Sequence, residues 1–204
     1  GIDLERFRRG DGERFRRQFD IPLQQPLLIH AGRLAFEKNC DFLLRMLREV
    51  RERVPEVLLV IAGDGPARKQ LERLTSRLGL QEQVRFIGYL QRGGELEDFY
   101  AAGDAFVFAS RTETQGLVLL ESMALGTPLV STAVMGTREV LGPGCGALIA
   151  EDDEHQFADC CVRLLTDKGL RAQLAALGQV YVKDWSAPVM AKRMLRLYAK
   201  LIKG

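Results

Sequence analysis

Two glutamates, Glu113 and Glu121, are the residues of this sequence best placed to do chemistry. Glu113 lies in a polar segment that directly follows an apolar run, and Glu121 lies eight residues later in an apolar stretch of helical length. Because helical side chains point back toward the N-terminus of their helix, both carboxylates are expected in one cleft. Gly116 leaves the first amides of that helix unobstructed, so they can point at an anion.

A structural explanation of the same pair makes Glu113 a surface loop residue and Glu121 a partner of the helix dipole. That explanation does not account for the position of Glu121, which stands between Leu120 and Met123 in an otherwise apolar helix. We therefore favour a ligand site.

The segment Gly32-Arg33, followed by Glu37-Lys38, is a second candidate. Gly32 lets the backbone turn tightly and approach a ligand. Arg33 offers a planar fork of donors and Lys38 a point charge, and together at the start of a helix they suit a diphosphate. The alternative is two surface cations near Glu37 and Asp41.

A third loop, Gly63-Asp64-Gly65-Pro66, begins like a dinucleotide-binding fingerprint but has Arg68 where the third glycine belongs. It also follows the second apolar run rather than the first. As a dinucleotide signal it is weak, and most of it is explained by a tight strand-to-helix turn in which Pro66 opens the helix.

The elements that carry these loops alternate along the chain. Short, continuously apolar runs are separated by stretches with helical periodicity, which is typical of a parallel sheet with helices on both faces. Ligands in such folds bind beyond the carboxyl ends of the strands, where all three loops fall. The sequence predicts an α/β, Rossmann-like sheet of about six strands, at 27–31, 57–62, 84–87, 105–109, 128–131 and 147–150. Helices are predicted at about 39–53, 66–78, 117–125, 154–166, 170–183 and 188–202.

The N-terminal segment contains a repeat, in which residues 5–9 (Glu-Arg-Phe-Arg-Arg) return as residues 13–17. One hypothesis is a basic patch for acidic lipid headgroups. We favour a solvated linker with a short helix, in which Phe7 and Phe15 are packing anchors, because acidic residues dilute the patch.

The composition excludes several classes of protein. A net charge of +2 over 204 residues gives no reason to expect nucleic acid. No apolar run approaches the roughly 20 residues that cross a bilayer, and the N-terminus has no signal-peptide core. Four cysteines without a C-x-x-C pair and two histidines offer no metal-ligand spacing. We expect reduced thiols in a cytosolic protein, and no bound metal.

Together, these loops resemble glycosyltransferase family 4, whose members have the two-domain GT-B fold. The resemblance covers nearly the whole chain, and the order and spacing of its motifs are more specific than any one of them. It is carried by Gly1 to Phe7, Gly32-Arg33 with Glu37-Lys38, Gly63-Asp64-Gly65-Pro66, Phe86-Ile87-Gly88, Ala101-Ala102-Gly103-Asp104, Ser110-x-x-Glu113, the E-x7-E pair of Glu113 and Glu121, and Ala124-x-Gly126-Thr127-Pro128.

The resemblance implies a role for each candidate residue. Arg33 and Lys38 would bind the donor diphosphate and stabilise it as it leaves, and Glu113 would contact the donor sugar; these three are the expected catalytic residues. Glu121 would accept hydrogen bonds from ribose hydroxyls. The other expected donor-binding residues are Gly32, Gly63 and Gly65 in the first two loops, Ile87, Gly88 and Tyr89 near the base, and Thr114, Gln115, Gly116 and Leu117 near the sugar.

The resemblance also implies a reaction, in which a hexose is transferred from a nucleotide sugar with retention of configuration and without a metal. Positive charge from Arg33, Lys38 and the helix N-terminus would act where a divalent cation acts elsewhere. Similarity of 37–43 and 113–116 to the branch that glucosylates diacylglycerol suggests a UDP-sugar donor. The acceptor would be a glycan or lipid of the cell envelope, and the enzyme would be cytoplasmic, with a peripheral contact at the inner face of the membrane.

By the same resemblance, the chain is a single C-terminal donor-binding domain with a post-linker segment at 1–25, an α/β core at 26–186 and a C-terminal helix at 187–204. The acceptor-binding N-terminal domain, its expected partner, is absent from the chain, so the isolated domain should be inactive. Two other functions stay open: half of a sugar-nucleotide epimerase, and a non-catalytic nucleotide-binding module.

Overall fold

A computed structural model describes residues 1–142 and 145–203, and within them six strands form one sheet in which every neighbouring pair is parallel. The order across the sheet is β3-β2-β1-β4-β5-β6. This arrangement confirms the Rossmann-like fold that the apolar runs predict. The strands are β1 (Leu27–Ala31), β2 (Leu58–Ala62), β3 (Val84–Gly88), β4 (Ala105–Phe108), β5 (Leu129–Ser131) and β6 (Ala147–Ile149).

The helices that connect and cover the strands are α1 (Gly12–Gln18), α2 (Cys40–Arg53), α3 (Arg68–Arg77), α4 (Glu95–Ala102), α5 (Leu117–Ala124), α6 (Gly136–Val140), α7 (Glu154–Thr166), α8 (Lys168–Tyr181) and α9 (Ala187–Lys203). The six predicted helices are present within a few residues of their expected ends. Helix α2 begins at Cys40 because Asn39 before it has a left-handed backbone, with φ of 56°. Helix α1 is the short helix expected in the N-terminal segment, whereas α4 and α6 have no counterpart among the predicted helices. Gly204, the last residue of the predicted C-terminal segment, lies outside the described residues.

The sheet is buried on both faces because its strands send alternate side chains to opposite sides. Leu28 and Leu59 pack with α2, α3 and α7 on one face. Leu27 and Leu58 pack with α1, α4 and α5 on the other face. All four side chains are fully buried, so the sheet is a rigid platform for the loops at its carboxyl edge.

The N-terminal segment is part of this core, and the expectation of a solvated linker is wrong. Phe7 and Phe15 are 4% and 1% exposed, which confirms them as packing anchors. Ile2 and Ile21 are also buried in the same hydrophobic cluster. Residues 1–25 therefore pack on the α/β core through these four side chains.

The arginines of the repeat are tied to acidic groups, which disfavours a free basic patch. Arg6 donates to Glu97 at 2.8 Å and Arg14 donates to Asp98 at 2.6 Å, so the repeat places two guanidinium groups on adjacent carboxylates of α4. Within the described residues, five of the six arginines of the repeat form ion pairs. The repeat thus anchors α4, the helix that precedes β4.

Candidate functional site

The loops after the first three strands lie against one another at the carboxyl edge of the sheet. The amide of Gly32 donates to the carbonyl of Ala62 at 3.0 Å, and the amide of Gly63 donates to the carbonyl of Gly88 at 2.6 Å. Gly63 has φ of +125°, and a Cβ atom there would lie 1.9 Å from the Gly32 oxygen. Only glycine permits this approach, which leaves backbone rather than side chain at the edge.

A cavity of about 240 Å³ opens above these loops. Four of the predicted donor-binding or catalytic residues line it: Gly32, Arg33, Gly63 and Tyr89. Its other lining residues are Ala31, Ala62, Leu90, Arg92, Leu96, Tyr100 and Val118. The structure therefore brings together residues from the first three loops, from α4 and from the first turn of α5.

Arg33 is exposed and, in residues 1–142 and 145–203, its side chain forms no hydrogen bond or ion pair. Arg92, on the opposite wall, has the same character. Two guanidinium groups without protein acceptors at one cavity make that cavity electropositive. Such groups suit a phosphorylated ligand because each presents a planar fork of donors.

Three other predicted residues support the cavity without lining it. A Cβ atom on Gly65 would lie 2.4 Å from the Leu34 oxygen, so this glycine allows the second loop to lie on the first. Ile87 is half-buried and packs against the core. Gly88, with φ of +74°, turns the chain at the end of β3 so that Tyr89 reaches the cavity.

Lys38 and Glu113 form a second part of the site. Lys38 Nζ donates to Glu113 Oε2 at 3.1 Å, and both side chains are about four-fifths buried, with 21% and 18% exposed. The other oxygen, Oε1, accepts the amides of Thr114, Gln115 and Gly116 at 3.1, 3.3 and 3.2 Å. Both oxygens of this carboxylate are therefore occupied by donors within the protein.

The pKa of Glu113 reflects these contacts. Burial alone would raise it, but hydrogen bonds from Lys38 and from the amides of Gly116 and Gln115 outweigh burial and hold the pKa below its usual value. Glu113 is thus a permanently charged group at neutral pH.

The expectation of open amides is confirmed for the first two residues of α5 and is wrong for the three residues that precede the helix. The amides of Thr114, Gln115 and Gly116 point at the carboxylate of Glu113 because the loop folds back over the helix N-terminus. The amides of Leu117 and Val118 follow, and they form no hydrogen bond within the described residues, as is usual in the first turn of a helix. These two amides are the ones left for a ligand.

Glu121 does not contact Glu113 in the described part of the chain; it contacts Tyr100 of α4. The Tyr100 hydroxyl donates to Glu121 Oε2 at 2.8 Å, and the two residues are 0% and 8% exposed. Burial raises the pKa of Glu121 above its usual value, against the lowering effects of the Tyr100 bond and the positive charges of Arg92 and Arg6. The two glutamates therefore have pKa values shifted in opposite directions.

His30, near the end of β1, lies buried beneath the site. Its Nδ1 is 2.9 Å from the Val107 carbonyl and its Nε2 is 3.5 Å from Cys40 Sγ. Burial lowers the pKa of His30 to about 4, so the ring is neutral at physiological pH. All four cysteines are unpaired thiols.

Five of the residues that line the cavity were not predicted as site residues from the sequence: Tyr100, Arg92, Leu90, Leu96 and Val118. A signal was available for Tyr100, which follows Phe99 and lies in the segment that leads into the fourth buried run. No local pattern distinguishes Arg92 from the other surface arginines. Among the described residues no three His, Cys, Asp or Glu side chains are grouped as metal ligands would be. In that same part of the chain, no helix is both long and apolar enough to span a bilayer.

Comparison with known proteins identifies the family. Residues 11–179 match the family model described as glycosyl transferases group 1. A D-inositol 3-phosphate glycosyltransferase of Frankia alni is 36% identical over 97% of this chain and 51% of its own length. The lipopolysaccharide core biosynthesis glycosyltransferase LpsE of Rhizobium meliloti is 33% identical over 90% of this chain and 53% of its own length.

Among solved structures, Anabaena Alr3699/HepE in complex with UDP has the same fold, with a TM-score of 0.86 and 21% identity over 98% of this chain and 56% of that one. The chain thus spans about half the length of the relatives it matches. The family match and the two curated relatives together show that this chain belongs to the group 1 glycosyl transferases.

Proposed function

We propose that this chain binds the nucleotide sugar of a retaining glycosyltransferase, which transfers a hexose from that donor to a glycan or lipid acceptor. The proposal depends above all on Arg33, an exposed guanidinium at a cavity whose edge is formed by Gly32 and Gly63. A guanidinium without a protein acceptor, next to backbone that a ligand can approach closely, suits a diphosphate.

The same groups account for rate acceleration. Negative charge grows on the diphosphate as its bond to the sugar breaks, so contacts from Arg33 and from the amides of Leu117 and Val118 strengthen in the transition state. Lys38, which the sequence predicts at the diphosphate, instead holds Glu113 at the start of α5. Oε2 of that carboxylate has a single donor, so it can accept a further hydrogen bond from a sugar hydroxyl. With positive charge supplied by the protein, transfer should need no divalent cation, and chelator should leave the activity of the full-length enzyme unchanged.

The acceptor and the location are proposals for a full-length enzyme, since this chain spans about half the length of the relatives it matches. The Rhizobium relative is named for lipopolysaccharide core biosynthesis, which supports a cell-envelope acceptor. We propose a cytoplasmic enzyme that works at the inner face of the membrane, with an N-terminal domain that binds the acceptor.

Calorimetry of this chain with UDP, GDP and ADP tests donor binding. UDP comes first because the Anabaena protein of the same fold was solved with it. Wild-type protein should bind at least one of these nucleoside diphosphates weakly, and Arg33→Ala should weaken that binding further. The control is Arg77→Ala, since Arg77 is also exposed but ends α3, which begins at the site edge and runs away from it. Absence of binding for all three nucleotides at millimolar concentration contradicts the proposal.

The reaction itself requires the full-length protein. Product analysis by NMR should show the anomeric configuration of the donor retained in the product. An epimerase would convert the nucleotide sugar without any acceptor, and a binding module would leave it intact, so the same assay separates the three functions.

A further inference from the structure

Tyr100 holds the buried carboxylate of Glu121 and is itself immobilised. Its ring packs against Phe7, Phe99 and Phe106, with centroid distances of 6.4, 5.7 and 5.6 Å. The side chain is fully buried, and its hydroxyl has a single proton, which it donates to Glu121 Oε2. The position of that hydroxyl is therefore fixed by packing.

The backbone keeps the two side chains in register. The Thr127 hydroxyl donates to the Tyr100 carbonyl at 2.5 Å, which ties the end of α4 to the segment that follows α5. The amide of Thr127 also donates to the carbonyl of Ser122 at 3.0 Å, next to Glu121 in α5. These two bonds and the bond between Tyr100 and Glu121 link helices α4 and α5.

The bond leaves the two oxygens of Glu121 with different surroundings. Oε2 is occupied, whereas Oε1 forms no hydrogen bond within residues 1–142 and 145–203. Tyr100 and Val118 line the cavity, and Glu121 follows Val118 by three residues on the same face of α5. Glu121 is not itself a lining residue, but within the described residues Oε1 is its free acceptor and lies one helical turn from Val118 and next to Tyr100, which do line the cavity.

We propose that Tyr100 is a positioning residue for the donor: it holds Oε2 of Glu121 so that Oε1 accepts a ribose hydroxyl of the bound nucleotide. The inference rests on the proposed function, since it assumes that the cavity holds a nucleoside diphosphate. In this proposal the Tyr100 hydroxyl does not contact the ligand; it orients the Glu121 carboxylate that does.

The groups that face Glu121 determine the pH at which its carboxylate becomes protonated. Burial raises the pKa of Glu121 and Glu97 adds to the rise, while the Tyr100 hydroxyl, Arg92 and Arg6 oppose it. A carboxylate is a pure acceptor only while ionised, so protonation of Glu121 weakens its recognition of ribose. Removing the Tyr100 hydroxyl removes one stabiliser of the ionised form, so the carboxylate protonates at higher pH.

The test is Tyr100→Phe, measured by calorimetry with the nucleoside diphosphate that binds wild type and with its 2′-deoxy and 3′-deoxy forms. We expect Tyr100→Phe to weaken binding of the parent nucleotide about tenfold at neutral pH, the size of one hydrogen bond to a charged group. Wild type should prefer the parent nucleotide to at least one deoxy form, and this preference should largely disappear in the variant. The acid limb of binding should move to higher pH.

Tyr181→Phe is the matched control, because the Tyr181 hydroxyl donates to the Val140 carbonyl at the same 2.8 Å but lies outside the cavity lining. It should leave affinity, deoxy preference and acid limb unchanged. Tyr100→Phe leaves the buried carboxylate of Glu121 without its donor and can lower the folded fraction for that reason. In that case the double variant Tyr100→Phe with Glu121→Gln is measured, because it has no buried charge at this position. Its deoxy preference should then equal that of Glu121→Gln alone.

Two results overturn the inference separately from the proposed function. A Tyr100→Phe variant that binds as wild type does, with the same deoxy preference and acid limb, shows that Tyr100 does not position Glu121. A uniform loss of affinity at every pH, with the preference intact, shows a merely structural role. Failure of wild type to bind any nucleoside diphosphate refutes the proposed function, and the inference with it.

Discussion

Glu113→Gln is the substitution that most directly tests the contacts at the start of α5. The glutamine oxygen can still accept from the amides of Thr114, Gln115 and Gly116, but its amide nitrogen then faces Lys38, which loses its acceptor. One charge-assisted hydrogen bond and part of a carboxylate–helix interaction are lost. Because both side chains are about four-fifths buried, solvent screens the pair only in part. We expect the free energy of unfolding to fall by about 2 kcal/mol at pH 7.

The pH dependence of this effect has a definite sign. The folded-state pKa of Glu113 is lowered, so its contribution to stability is complete above the unfolded pKa of about 4.3 and is lost as the pH falls through the lower folded pKa. The stability difference between wild type and Glu113→Gln should therefore be largest near neutral pH and shrink below pH ~4. Urea unfolding at several pH values measures it.

Glu37→Gln is the matched control, since Glu37 is exposed, adjacent to Lys38 and without a side-chain partner among the described residues. It changes the net charge equally and should alter the free energy of unfolding by less than about 0.5 kcal/mol. Equal effects of the two substitutions, or a difference for Glu113→Gln that does not vary with pH, would refute the reasoning. In the full-length enzyme, Glu113→Gln should lower turnover while plain nucleoside diphosphate binding changes little.

Three further predictions concern other parts of the site. In the full-length enzyme, Arg33→Ala should lower kcat more than donor affinity, with a loss on the order of 2–4 kcal/mol in transition-state stabilisation, and near-normal turnover at saturating donor would contradict this. Gly63→Ala should lower the free energy of unfolding by about 2–4 kcal/mol in thermal unfolding, because the new Cβ atom would meet the backbone of the Gly32 loop. The control is Gly79→Ala: Gly79 also has a positive φ but has open space around it, so the free energy of unfolding should fall by about 1 kcal/mol. Since the pKa of His30 is lowered to about 4, the unfolded state binds its proton first as the pH falls, and stability should fall by up to about 3 kcal/mol between pH 6.5 and pH 4. A His30 NMR resonance that titrates near the unperturbed value of about 6.5 would refute this.

Much of the site could be predicted because its position follows from the fold. Continuously apolar runs indicate buried parallel strands, and parallel strands place all their carboxyl ends at one edge. Gly32, Arg33, Gly63 and Tyr89 follow three such runs, and the structure places all four at one cavity. Local sequence is sufficient here because the loops are short and glycine restricts their geometry.

Helix α4 could not be predicted in the same way. It contains Glu97 and Asp98, which are 3% and 5% exposed although carboxylates are rarely buried. Their burial depends on Arg6 and Arg14, which stand 91 and 84 residues earlier in the chain. A local sequence pattern cannot reveal ion pairs between residues so far apart in the chain. Because α4 was not predicted, the contact between Tyr100 and Glu121 could not be predicted either.

The two glutamates of the site should become protonated at different pH values, because their pKa values are shifted in opposite directions. Glu113 has a lowered pKa because four donors hold its charge, and Glu121 has a raised pKa because it is buried. On acidification Glu121 therefore protonates first, while Glu113 still binds Lys38. Nucleotide affinity, which depends on the ionised form of Glu121, should decline at a pH where the stability provided by Glu113 is intact. Calorimetry of wild type and the stability difference between wild type and Glu113→Gln, measured over one pH series, compare the two directly. If affinity declines only where that stability difference is lost, binding does not depend on Glu121.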